Sequence, residues 1–215
     1  RLYEMQKEGT LKVAAINGIG ILNIGQSSDA EKALLTDVVK TLEKFYMQKV
    51  GAGTNLILAH CPPAIAKLLG RDHADAEYYK ELFAADLQDK GKIKRSGNEI
   101  SQSCALALGQ LCKPYMDKKD PDAKYSKLLL KQWNSHKDAQ TRNFSVLSLG
   151  WIGGDLNKAA LIKAFDKAGK NLEKPWCSLA LGVYSHFAYE AAKARNESPN
   201  PETFIGETLF DEMKK

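Results

Sequence analysis

Apolar residues recur along this chain with the three- and four-residue spacing of amphipathic helices. Leu34, Leu35, Val38, Val39, Leu42, Phe45 and Tyr46 follow i, i+3, i+4, i+7 spacing and predict one long helix, capped by Ser28 or Asp29. Asp120-Pro121 opens another, with Tyr125, Leu128, Leu129 and Trp133 on one side, and Asp155 can cap a third that holds Leu156, Ala160, Leu161, Ala164 and Phe165. Asn200-Pro201 opens a closing helix, and Pro62-Pro63 breaks or restarts one. Gly51-Ala-Gly53 reads as a flexible turn after the long helix.

Between these helices one phrase recurs: a small residue, alternating leucines with a second small residue between them, then glycine. It reads Cys104-Ala-Leu-Ala-Leu-Gly109, Ser145-Val-Leu-Ser-Leu-Gly150 and Cys177-Ser-Leu-Ala-Leu-Gly182. A degenerate copy, Ala15-Ile-Asn-Gly-Ile-Gly20, keeps the first small residue, the aliphatic residue before glycine and the glycine. The glycines stand 41 residues apart (109 to 150), 32 apart (150 to 182) and 89 apart (20 to 109). The long gap is about two periods of a helical repeat, so a divergent copy is expected near Leu56 to Leu69. Glycine inside a helix costs about 1 kcal/mol against alanine. Its return at one place in the phrase predicts that Gly109, Gly150 and Gly182 mark close helix crossings.

Composition agrees with an all-α chain: 44% of residues are apolar, 27% are charged, aromatics are only 8%, and there are 7 prolines. The phrase and its period resemble the HEAT-repeat superfamily, in the short form also found in phycobilisome-lyase-type repeats. The resemblance covers residues 97–195 well and the N-terminal half more weakly. It implies a right-handed α-solenoid of antiparallel helix pairs, a single domain over residues 1–215. Divergent repeats would occupy about 1–96, clear repeats about 97–195, and a capping helix about 200–215. It also implies an interaction scaffold, although relatives include a pigment lyase, a metal-dependent hydroxylase and a DNA glycosylase.

The hydroxylases ligate iron through His-Glu dipeptides, whereas His60, His73, His136 and His186 are followed by Cys61, Ala74, Lys137 and Phe187. Gly20 to Ser27 has the glycine spacing of a phosphate-binding loop, but Gln26 replaces its lysine. His60-Cys61 is the one thiol with a base beside it, and neighbours on a helix do not face each other. The four cysteines lack zinc spacing and read as buried apolar residues. Glu77 and Glu81 with Lys80 read as a solvated helix face. No enzyme, metal or cofactor is expected.

Net charge is only +5, from 31 basic and 26 acidic residues, so a basic surface has to come from clustering. Lys124, Lys127 and Lys131 form one helical stripe, and Lys163, Lys167 and Lys170 repeat it in the next repeat. Where second helices line a concave surface, as the resemblance implies, these six make a basic groove; the plainer reading is that they solvate polar faces. Trp133, Trp151 and Trp176 are either anchors or interrepeat core.

The leading function is a non-catalytic protein-interaction scaffold that binds another protein through its concave or edge surface. The alternative is a nucleic-acid-binding module resembling the HEAT-type DNA glycosylases, with pigment attachment third. No stretch is long and apolar enough for a membrane span, and no signal segment opens the chain. A soluble, cytoplasmic protein is favoured, while the start at Arg1 is compatible with a processed or exported form.

Overall fold

The computed structural model describes residues 9–49, 51–95, 97–169, 173–197 and 205–206. All regular structure among them is helical: α1 Gly9–Gly20, α2 Asp29–Tyr46, α3 Ala52–Leu58, α4 Cys61–Leu69, α5 Ala76–Leu87, α6 Glu99–Leu111, α7 Ala123–Ser135, α8 Ala139–Ile152, α9 Asp155–Lys167 and α10 Glu173–Ala194. No helix among the described residues is long and apolar enough to cross a membrane. The chain forms two compact units, Arg1–Leu111 and Cys112–Lys215.

In the first unit α4 is central, packing on α1, α2 and α6, while α6 also packs on α5. The long helix starts where the sequence indicates. Ser28 Oγ accepts from the Glu31 amide at 3.2 Å, and Glu31 reaches back to the Ser28 amide at 2.9 Å, a reciprocal capping box. Leu35, Val39, Leu42, Phe45 and Tyr46 are buried, but Leu34 is exposed, so the stripe is narrower than its spacing implies. Gly51 precedes α3 and Gly53 lies inside it, so this segment is a helix start and not a flexible turn. Pro62 and Pro63 open α4, where a missing N–H is harmless. Lys80 corrects the solvated-face reading: it is buried, with Nζ 2.8 Å from Glu77.

In the second unit α8 packs on α7, α9 and α10, and α9 on α10. Phe144 of α8 meets Trp176 of α10 edge-on at 5.9 Å, so this tryptophan is half-buried between phrase helices, and Trp151 is also half-buried. α7 begins at Ala123, two residues later than Pro121 suggests. The Asp120 carboxylate instead accepts the amides of Met116 and Asp117, both at 2.7 Å, and so holds the preceding turn. The closing helix proposed for about 200–215 lies outside the described residues apart from Ile205 and Gly206.

The phrase has a packing register. A Cβ placed on Gly150 would stand 3.1 Å from the carbonyl carbon and 3.3 Å from the Cα of Ala180, with the carbonyl oxygen closer still. A Cβ on Gly20 would stand 2.9 Å from the Cα of Ala64. In both cases the sixth position of one phrase meets the fourth position of a following helix. Ala64 lies in the segment where a divergent copy is expected, and it meets Gly20 as Ala180 meets Gly150. Positions two apart on a helix point about 200° apart, so small residues at the fourth and sixth places leave opposite faces open to close neighbours. Gly109 is buried and its carbonyl accepts from Arg71 Nη2 at 3.4 Å. Gly182 departs from the expectation: it is exposed, and among the described residues nothing lies within 4 Å of its built Cβ.

Candidate functional site: a lysine-rimmed cavity between α7 and α9

The second unit holds a cavity of about 640 Å³, and the sequence shows why it forms. Gly153 and Gly154, with φ of +76° and +90°, turn the chain sharply between α8 and α9, a conformation that disfavours residues with a side chain. Tyr115 lies against that turn: its amide donates to the Gly153 carbonyl at 3.1 Å and its carbonyl accepts from the Leu156 amide at 3.3 Å. A Cβ on Gly154 would fall 2.6 Å from the Tyr115 carbonyl carbon. The loop before α7 is thereby fastened to the start of α9. Its other end is held where the Asp122 carboxylate accepts the Lys113 amide at 2.6 Å.

The floor is polar and satisfied. Buried Asn157 of α9 donates through Nδ2 to Ser126 Oγ of α7 at 3.1 Å and to the Gly153 carbonyl at 3.0 Å. Leu130, Trp133, Leu156 and Ala160 supply an apolar wall, with Trp133 only 7% exposed. Lys118, Lys127, Lys163 and Lys167 stand at the rim, and among the described residues no carboxylate lines the cavity. Nor does a histidine or cysteine among the described residues. What this arrangement offers is charge pairing at the mouth and apolar burial within, at a volume inside the usual ~300–1,000 Å³ range of ligand sites.

Of the six lysines expected to form a groove, Lys127, Lys163 and Lys167 come together here. Lys124 and Lys131 are exposed but do not line the cavity, and Lys124 Nζ lies 4.8 Å from the centre of the Tyr125 ring. Lys170 lies outside the described residues. Lys118 was missed because it sits in a loop, where helical spacing carries no information; its signal is position alone, in a charged turn bounded by Asp117 and Asp120.

The polar clusters of the first unit pair tyrosines with carboxylates. Tyr78 and Tyr79 donate to the two carboxylate oxygens of Glu43, at 2.5 and 2.9 Å, beside a smaller cavity of about 160 Å³. The hydrogen bond to Glu43 pushes the Tyr78 phenol up to about 12, and burial first, then the same carboxylate, raises Tyr79 further. Tyr46 donates to Asp86, touches Cys104 Sγ at 3.5 Å and carries the Arg95 guanidinium over its ring at 4.6 Å. Burial holds the Asp86 carboxyl above its usual range.

Cys61, Cys104, Cys112 and Cys177 are free and buried. Burial pushes the Cys61 thiol up to about 12, away from the thiolate that a nucleophile needs, and lowers the pKa of its neighbour His60. His73 and His136 use Nδ1 to accept the amides of Asp75 and Asp138, both at 3.1 Å, just before α5 and α8. Among the described residues no group of three or more His, Cys, Asp or Glu side chains is placed to hold a metal ion.

Comparison with protein-family models, curated proteins and solved structures finds no match to this chain. The class that fold and site define is therefore an all-helical protein with a lysine-rimmed, apolar-walled cavity.

Proposed function

We propose that this chain is a HEAT-like α-solenoid scaffold whose second unit binds an acidic peptide segment with an apolar anchor residue. The observation that carries the reading is the cavity lining: four lysines around an apolar wall, with no carboxylate among the described lining residues. Acidic side chains pair with the rim, and a leucine or aromatic side chain fills the space beside Trp133 and Leu156. Burying such an anchor contributes about 1.5–3 kcal/mol, while the lysines mainly speed association and set the charge of the partner. The solenoid part of the reading rests on the repeated contact between sixth and fourth phrase positions, the stacking that a helical-repeat array requires.

The test is anisotropy titration with a short labelled peptide rich in aspartate and glutamate around a central Leu-Trp, against the same peptide without the apolar pair. Lys127→Glu with Lys163→Glu weakens binding by about tenfold or more. Ala160→Trp fills the cavity, keeps the charge and abolishes the preference for the apolar pair. If Ala160→Trp leaves that preference intact, the cavity is not the site. A single-stranded oligonucleotide that binds more tightly than either peptide, with affinity falling steeply with salt, would transfer the rim to a nucleic-acid function.

A further inference from the structure

In the first unit, Glu43 of α2 joins two neighbouring residues of α5. Tyr78 donates to its Oε1 at 2.5 Å and Tyr79 to its Oε2 at 2.9 Å. Neighbours on a helix point about 100° apart and do not ordinarily share a partner. Here both phenols converge, and their ring planes stand 83° apart with centroids separated by 5.0 Å. Tyr79 is 3% exposed and its ring lies near Phe83, centroids 6.0 Å apart, whereas Tyr78 is 53% exposed. The pair therefore forms an aromatic corner, one ring set in the core and the other reaching solvent.

This corner and the Glu43 carboxylate line the cavity of about 160 Å³, together with apolar Leu35, Val39 and Leu69. At ~30 Å³ for each water, that is space on the order of five waters, suited to a compact group and not to a drug-sized ligand. Two carboxylates of the described lining, Glu43 and Asp75, stand against one lysine, Lys40. His73, also in the lining, accepts the Asp75 amide through Nδ1 at 3.1 Å, so that nitrogen carries no proton.

A compact cation suits such a place. Aromatic faces attract cations, and a phenol whose proton is drawn toward a carboxylate has the more electron-rich ring. A primary ammonium brings three donors that each need an acceptor. Both Glu43 oxygens already take a tyrosine proton, and Leu35, Val39 and Leu69 offer no side-chain acceptor. A quaternary ammonium has no donor to satisfy. Its methyl groups pack on apolar side chains and rings while the carboxylate balances its charge.

We propose that the corner formed by Tyr78, Tyr79 and Glu43 binds a quaternary ammonium group, carried by a trimethylated lysine or by a free choline-like molecule. The site lies within the first unit and is independent of the lysine-rimmed cavity.

Proton NMR tests this through the methyl signal of each ligand, which ring currents move upfield when it lies against the tyrosines. The full chain is titrated with choline and with its neutral carbon isostere, in which a tert-butyl group replaces trimethylammonium. A short neutral peptide with one lysine, trimethylated or unmodified, forms the second pair. Choline and the trimethylated peptide bind, and each uncharged or unmethylated counterpart binds about tenfold more weakly. Tyr78→Ala, at an exposed position, lowers both affinities by about tenfold, whereas Tyr78→Phe keeps the ring and most of the binding. Glu43→Gln removes the charge and with it the preference for choline over the isostere. Circular dichroism verifies that each variant is folded. Tighter binding of the trimethylated peptide than of choline assigns the group to a modified protein, and the reverse order to a free molecule; both support the site. Equal binding of choline and its isostere overturns the proposal. So does wild-type affinity in Tyr78→Ala, or a wild type that shifts no methyl signal at millimolar ligand.

Discussion

Gly150 rests on the backbone of Ala180, with its Cα–H filling the space a methyl group would need: a Cβ there would lie 3.3 Å from the Ala180 Cα and closer to its carbonyl. Because the obstacle is backbone, it cannot move aside by a rotamer change. Gly150→Ala therefore forces α8 and α10 apart and destabilises by about 1–3 kcal/mol. Gly182→Ala, at the matching place in open space, removes only the helix penalty and stabilises the protomer by about 0.5–1 kcal/mol. Chemical denaturation of the two variants, side by side, gives opposite signs.

Gly154→Ala combines a disfavoured backbone conformation, φ +90°, with a collision against Tyr115. A loss of about 1–3 kcal/mol is expected from the backbone term alone. The Tyr115 amide should become exchangeable with solvent in this variant, which hydrogen exchange reads directly.

Asn157→Ala removes the donor shared by Ser126 and the Gly153 carbonyl. Leaving these buried groups unsatisfied costs about 1–3 kcal/mol, and the floor of the cavity loses its bridge from α7 to α9. Thermal denaturation measures the first effect, and weakened peptide binding the second.

The Glu31 carboxylate is lowered from 4.5 to about 2, first by the Ser27 hydroxyl and then by the Ser28 and Ser27 amides. A depressed carboxylate contributes stability that is fully present above pH 4.5 and is lost as the pH falls toward 2. Glu31→Gln should lower the melting temperature at neutral pH, and its gap from the wild type should close on acidification through that window. A gap independent of pH would mean that the charge on Glu31 contributes nothing.

The buried thiols predict chemical silence. With Cys61 and Cys177 both pushed up to about 12, an aromatic disulfide reagent at mildly alkaline pH should leave the native chain unmodified. All four thiols should react in denaturant, so the reaction rate below the unfolding transition reports opening of the core.

The helices were legible because their signals are local. Capping by Ser28 and Glu31, the proline start of α4 and the phrase itself all lie within a few residues of what they determine. What was illegible depends on distant partners. Leu34 matches the spacing of its buried neighbours yet is exposed, and Lys80 is buried although its surroundings in sequence are charged. A divergent copy was expected near Leu56 to Leu69, but its prolines obscure any register, and the placement of Ala64 against Gly20 appears only in the structure. At the site, spacing supplied Lys127, Lys163 and Lys167, whereas Lys118 and the apolar wall emerge only when the loop before α7 is folded onto the Gly153-Gly154 turn.

That loop is secured by main-chain atoms: Tyr115 binds Gly153 and Leu156 through its amide and carbonyl, and the Lys113 amide binds Asp122. The lysine side chains at the rim take no part in these bonds. The charge at the mouth and the frame that shapes the cavity thus reside in different atoms. The charge of the mouth can therefore be altered, or inverted, by exchanging side chains while the main-chain frame that shapes the cavity stays in place.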